Sequence, residues 1–351
     1  MADLWFALVC LMLTAFVVLD GFDFGAGTLL YALARTDDEK RAVHAAIGPY
    51  WDGNEVWLLA AGGSLMVSFP TALAAGLSGF YLGIFLLVWL LIGRAMSIEL
   101  RAHLPHPLFS SLFDFGFTAS SAGAALVLGV ALANVVRGVP LDEGGFTLPL
   151  FASAAGGAEV GLLDAFTVPA GAFAVLVCAT HGAAFVAWKT SGAVRDRARR
   201  LVPRLVVATA VGWAAMLALT ARFAPAAFAA FTHRPLALGL AALGALALAL
   251  VRRESSAAAE AAAATADRRA FLASAAFVAL VLGAIFGSQF PYWLRPPASS
   301  PPSTAAITVA SAQVEASSLR TALMWWMVGA SLAVSYFVAL FRANRRRRED
   351  A

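Results

Sequence analysis

The chain has 351 residues, 61% of them hydrophobic and only 13% charged, with a mean hydropathy of +0.79. A soluble domain carries roughly 25% charged residues, so this composition excludes an ordinary soluble enzyme and predicts an integral membrane protein. The net charge of +4 is modest, and no long loop could hold a soluble catalytic module, a phosphate-binding Gly-x-x-x-x-Gly-Lys or a nucleic-acid-binding face.

A bilayer-spanning helix needs ~20 mostly apolar residues. Runs of that kind predict an all-α bundle of about nine spans, near 4–33, 54–69, 71–93, 112–136, 161–188, 203–221, 235–251, 270–290 and 319–341. The first lacks a basic n-region, carries Asp3 instead, and ends in acidic residues rather than at a cleavage site. It is read as a retained helix. The second is short, and Pro70 separates it from the third, because proline opens a helix more readily than it continues one. Cys10 and Cys178 lie in apolar runs without a Cys-x-x-Cys and are read as small buried hydrophobes. Asp114 and Asp164 sit near expected helix starts, where they would compensate the helix dipole. His181 lies within a span; a hydrogen-bonded packing role and haem ligation are both open to it.

The chain reads as one polytopic domain over 1–351, with polar clusters on spans one to three and their inner loops (1–111). Ser255–Ala266 is an Ala-rich, helical stretch within a cytoplasmic linker at 252–269, and "RPPASSPPS" (Arg295–Ser303) an extended piece of an outer loop at 294–318. Alternating loops place 20 of the 25 Lys and Arg residues on one side, including Arg345–Arg348, a cytoplasmic anchor; Arg137, Arg222, Arg234, Arg295 and Arg320 fall on the other. By the positive-inside rule the N-terminus is outside and the C-terminus inside.

Three clusters place ionisable groups in or beside spans. Asp20 and Asp23 in "VLDGFDFGAG" share a helix face that Gly27 continues, and Gly21 and Gly25 form a Gly-x-x-x-Gly that lets another backbone approach. Asp52 and Glu55 repeat the three-residue spacing in "PYWDGNEVWLLAAGG", with Asn54 beside them. In "GRAMSIELRAH", Glu99 and His103 are four apart, with Arg94 and Arg101 available as counter-charges. Ionisable residues inside spans cost ~2.5–3.5 kcal/mol each on insertion scales, so they usually face a bundle interior or a proton path. Two carboxyls sharing a site can hold and pass one proton. The same residues could instead cap helix ends or pair with arginines to hold the bundle.

Taken together, "LDGFDFGAGTL", "IGPYWDGNEVWLLAAGGSLMVSFP", "LSGFYLGIFLLVWLLIGRAMSIELR", "FDFG", "THGAAFVAWKTSG", "FPYWLRP" and "ITVASAQVEASSLRTALMWWM" resemble subunit II of cytochrome bd-type quinol oxidases. They run in family order over nearly the whole chain; 195–269 contributes only apolar spans. The resemblance implies a membrane partner, subunit I, that carries two b-type haems and haem d. That partner oxidises quinol at the outer face and reduces O2 to water with protons from inside, generating proton-motive force. It implies a haem-free subunit II with quinone, lipids and small accessory subunits as further partners, and no nucleic acid. It also implies a proton path in which Asp23, Asp52 and Glu99 match acidic positions and His103 stands where some relatives have Lys. Asp20, Asn54, Glu55, Arg94 and Arg101 are expected to support it. Asp20 and Asp23 would lie on a stripe facing the partner, Asp20 hydrogen-bonding at a helix break near Gly21 and Asp23 handling protons. A proton-coupled transporter and a purely structural assembly subunit are the rival readings.

Overall fold

The computed structural model describes residues 1–103, 106–142, 145, 146, 148–151, 160–256, 263–297, 300, 301 and 303–344. Arg345–Arg348, 257–262 of the Ala-rich linker and 298, 299 and 302 of the Pro-rich loop lie outside them.

The helices in chain order are α1 (Ala2–Thr28), α2 (Leu30–Leu33), α3 (Asp37–Ile47), α4 (Trp51–Ser68), α5 (Pro70–Gly79), α6 (Tyr81–His103) and α7 (Pro107–Arg137). They continue with α8 (Thr167–Lys189), α9 (Gly192–Phe223), α10 (Pro225–Thr232), α11 (Pro235–Ser256), α12 (Ala263–Gln289), α13 (Val309–Ala312) and α14 (Ala316–Ala343). Two small antiparallel pairs lie between them, β1 (Leu141–Asp142) with β2 (Gly145–Phe146) and β3 (Tyr292–Leu294) with β4 (Ile307–Thr308). Among the described residues, eight helices are long and apolar enough to cross a membrane: α1, α6, α7, α8, α9, α11, α12 and α14. α4 has 18 residues, but its first turns carry Asp52, Asn54 and Glu55.

Local chemistry explains where elements start. Pro70 occupies the first turn of α5, where its missing N–H costs nothing. The expected third span, 71–93, is divided at Phe80 into α5 and α6. The fifth begins at Thr167 rather than 161, because Asp164 Oδ1 accepts from the Phe166 and Thr167 amides and caps α8. α9 starts eleven residues before the expected 203 and keeps Pro203 inside it. Its first half is basic, and Arg195 and Arg199 are tied to the buried Asp267 of α12.

α1 runs through the middle, packing against α4, α7, α8 and α12. Gly25 permits the closest approach: a Cβ there would overlap the Cys178 carbonyl of α8, and one at Gly182 would overlap the Gly25–Ala26 backbone. In lipid, such close packing of small residues replaces the hydrophobic drive of soluble cores. Just below, Phe22 stacks on Phe185 at 4.1 Å and meets Tyr50 and Phe271 edge-on. α1 is continuous through Gly21 and ends at Thr28, so no helix break stands beside Asp20.

Candidate functional site

The three-residue spacing on α1 puts Asp20 and Asp23 on one face, and both are fully buried. That face turns into the chain's own bundle rather than toward a partner, because α4 and α6 cover it. Arg94 of α6, also fully buried, donates from Nη1 to Asp20 Oδ1 at 2.7 Å and from Nη2 to Glu55 Oε1 at 2.5 Å. Its guanidinium lies 4.5 Å from the Phe24 ring centroid. The Asn54 amide donates to Asp23 Oδ2 at 2.7 Å and to the Leu19 carbonyl at 2.8 Å. Asp20 Oδ2, Asp23 Oδ1 and Asn54 Oδ1 are buried with no partner among the described residues. Glu55, 27% exposed, is the group through which the cluster reaches the surface.

Five of the nine expected site residues therefore meet: Asp20, Asp23, Asn54, Glu55 and Arg94. The other four do not. Asp52 is exposed on the first turn of α4. Glu99 and His103, 62% and 69% exposed, face each other at 3.7 Å on the outer side of α6. Arg101 turns away from the acids of α1 and α4 into a second cluster. It binds Asp114 through Nε and reaches Asp37 Oδ1 at 2.7 Å.

Asp114 corrects a sequence expectation. It stands two turns into α7, not at its start, and it is buried at the centre of an ion cluster. Besides Arg101 it binds Lys40 Nζ at 3.1 Å and meets His44 Nε2 at 3.3 Å. Burial pushes His44 below its ordinary value, aided by Arg101 and Lys40, and its Nδ1 is buried without a partner among the described residues. Lys40 and His44 escaped the sequence reading, although their four-residue spacing in "DDEKRAVHAAI" places both on one face of α3.

His181 answers the haem question for its span. Nε2 donates to the Val18 carbonyl at 2.9 Å and Nδ1 lies 2.7 Å from Ser274 Oγ, so neither nitrogen is left for iron. Among the described residues no group of three or more His, Cys, Asp or Glu could hold a metal ion.

These features define a class: a polytopic helical membrane protein with a carboxylate–guanidinium cluster buried among its first spans. The family described as cytochrome bd terminal oxidase subunit II matches residues 1–344. The chain is 30% identical to the cytochrome bd ubiquinol oxidase subunit 2 of Bacillus subtilis, covering 98% of this chain and 97% of that one. It is 37% identical to the probable cytochrome oxidase subunit 2 of Haemophilus influenzae over 56% of this chain and 51% of that one. For the cytochrome bd-I ubiquinol oxidase subunit 2 of Escherichia coli K12 the figures are 35%, 60% and 55%. These two alignments span only about half the length of those relatives. The bd oxidase structure from Geobacillus thermodenitrificans has the same fold, with a TM-score of 0.75 at 16% identity over 97% of this chain and 98% of that one. The chain belongs to the subunit II family of cytochrome bd terminal oxidases and is a multi-pass protein of the bacterial inner membrane.

Proposed function

We propose that the chain is the haem-free subunit II of a bd-type oxidase that oxidises quinol and reduces O2 to water, and that its buried acids help deliver the protons. Subunit I carries the two b-type haems and haem d, which supply the electron transfer and oxygen chemistry. Two quinols give four electrons and release four protons outside; O2 takes those electrons and four protons from inside to give two waters. Charge separation follows without a pump.

One observation carries the proton role: Asp20 and Glu55 take both ends of the single Arg94 guanidinium, and a third carboxyl group, the fully buried Asp23, is bound by Asn54 instead. An unpaired buried ion costs several kcal/mol, and Asp23 is the fully buried carboxyl group of the cluster that no cation binds directly. Arg94 holds Asp20 and Glu55 directly. Asp23, held by the neutral amide of Asn54, is the carboxyl best suited to take and release a proton. Asp52, one turn before Glu55, and the Glu99–His103 pair lie on the exposed side of the cluster, where a path through them would need subunit I to enclose it. Glu99 and His103 continue the exposed stripe of Tyr81, Phe85, Trp89, Ile92 and Met96, and subunit I is assigned to that face.

The test is to purify the native complex through a tag on this chain. The expected preparation contains a haem-bearing subunit, shows b- and d-type haem absorbance and consumes O2 when supplied with quinol. A chain that purifies without any haem protein, from membranes that retain quinol oxidase activity, would refute the reading.

A further inference from the structure

Most hydroxyls inside these helices bond back to their own helix: Thr14 donates to Cys10, Thr28 to Phe24, Ser97 to Gly93 and Thr180 to Leu176, each at an i−4 carbonyl. Thr118 Oγ1 and Ser121 Oγ of α7 do not. Both are buried and lack any partner among the described residues. They fall on the stripe of α7 that begins at Asp114, at positions i+4 and i+7.

The neighbouring helices make room for this stripe. A Cβ on Gly27 of α1 would overlap Ser121, so the Ser121 hydroxyl sits directly against the α1 backbone, one turn from Asp23. α6 packs on another face of α7, where Gly93 meets Ser120 and Ser97 meets Gly116. At the inner end, His44 packs its ring on Phe117 at 4.8 Å and meets Asp114, with Nδ1 unpartnered. At the other end is the unpartnered Asp23 Oδ1. From Asp114 to Ser121 is about 10 Å along α7, and from Gly27 to Asp23 about 6 Å along α1. The successive axial rises, Asp114 to Thr118, Thr118 to Ser121 and Gly27 to Asp23, are about 6, about 5 and about 6 Å, so water has to bridge each step of a path along this stripe.

We infer that Thr118 and Ser121 relay protons from the His44–Asp114 cluster to Asp23, along a stripe of α7 that meets α1 at Gly27 and lies wholly inside this chain. Each hydroxyl hands its own proton to the next oxygen and takes one from the previous, so no group between the two ends changes charge. Asp114, fixed by Arg101 and Lys40, is a positioning residue that orients His44 at the inner mouth. This route differs from one through Glu99 and His103, whose exposed side chains need a partner to enclose them. The inference rests on the reading of the acid cluster as a proton store.

The test uses the purified complex carrying Thr118→Val with Ser121→Ala, compared with Asp23→Asn and with Thr118→Ser. The readouts are quinol-driven O2 uptake per haem and the rate of proton uptake from the inner side in proteoliposomes. The relay predicts a normal haem spectrum, turnover and proton uptake down about tenfold or more in the double variant, and near-normal rates in Thr118→Ser, which keeps the hydroxyl. Should the double variant fail to assemble, Thr118→Val alone, an isosteric loss of the hydroxyl, reads the same quantity. Wild-type rates in the hydroxyl-deleted complex beside a slowed Asp23→Asn enzyme overturn the relay and leave the acid-cluster reading standing. Wild-type rates in both overturn the two together.

Discussion

Arg94 holds two carboxylates from different helices at once, and its planar fork matches that task in a way a lysine ammonium cannot. Arg94→Met would leave Asp20 and Glu55 without their cation, a loss of ~3–5 kcal/mol for a broken buried pair. The expected outcome is little assembled oxidase in membranes, with Arg94→Lys intermediate; haem d content per milligram of membrane protein measures it. Arg94→Met membranes with wild-type haem d would contradict the pairing. How much of this was legible at the residue scale follows from what spacing encodes. The shared face of Asp20 and Asp23 is a property of one helix and could be read directly. Whether Arg94 or Arg101 would serve them is a property of how α6 sits against α1. The two arginines are seven residues apart on nearly one face, and only the packing sends one to Asp20 and the other to Asp114. Asp114 was misread for the same reason: its partners come from α3 and α6.

Among the elements, the contact between α1 and α8 makes a sharp distinction within one Gly-x-x-x-Gly. A methyl at Gly25 meets backbone that cannot yield, whereas at Gly21 it finds Cys178 Sγ at 3.8 Å and the His181 ring at 3.9 Å, ordinary contacts. Gly25→Ala is therefore expected to destabilise the bundle by about 1–3 kcal/mol or to prevent its assembly, and Gly21→Ala to be tolerated. Thermal midpoints of the two detergent-purified complexes decide; equal midpoints would contradict the packing. The Gly-x-x-x-Gly was visible in the sequence, but which glycine touches backbone was not.

α3 supplies a pH-dependent element. Thr36 and Glu39 form a capping box, and the Glu39 carboxylate accepts from Arg197, from the Arg35 amide at 2.6 Å and from the Thr36 amide at 3.2 Å. These donors, the Arg197 hydrogen bond first, hold Glu39 down at about 2 against an ordinary 4.5. A depressed folded value means the stabilisation is complete above the unfolded value and is lost as pH falls from 4.5 toward about 2. Pepsin cleavage within 34–47 should rise across that window. In Glu39→Gln, which keeps the cap but not the charge, it should already be raised at the upper end.

At the scale of the whole molecule, the nine-span reading puts 20 of the 25 basic residues on one side, and from it we propose that the C-terminus faces the cytoplasm. A C-terminal reporter active only outside the cytoplasm would contradict it. The apolar runs made the membrane bundle readable in advance. The start of α9, extended by the pairing of Arg195 and Arg199 with Asp267, depends on tertiary contacts and was not, whereas the Asp164 cap that starts α8 at Thr167 is local. Residue, element and bundle meet in the proposed role of the Asp20, Asp23, Glu55 and Arg94 cluster as a proton store for oxygen reduction. Its most direct test is Asp23→Asn, which preserves the shape and the acceptor for Asn54 but cannot take up or release the proton. With quinol in excess, the account predicts a fully assembled complex with a normal haem spectrum and a steep fall in O2 uptake per mole of haem d. Wild-type uptake by that assembled variant would contradict it.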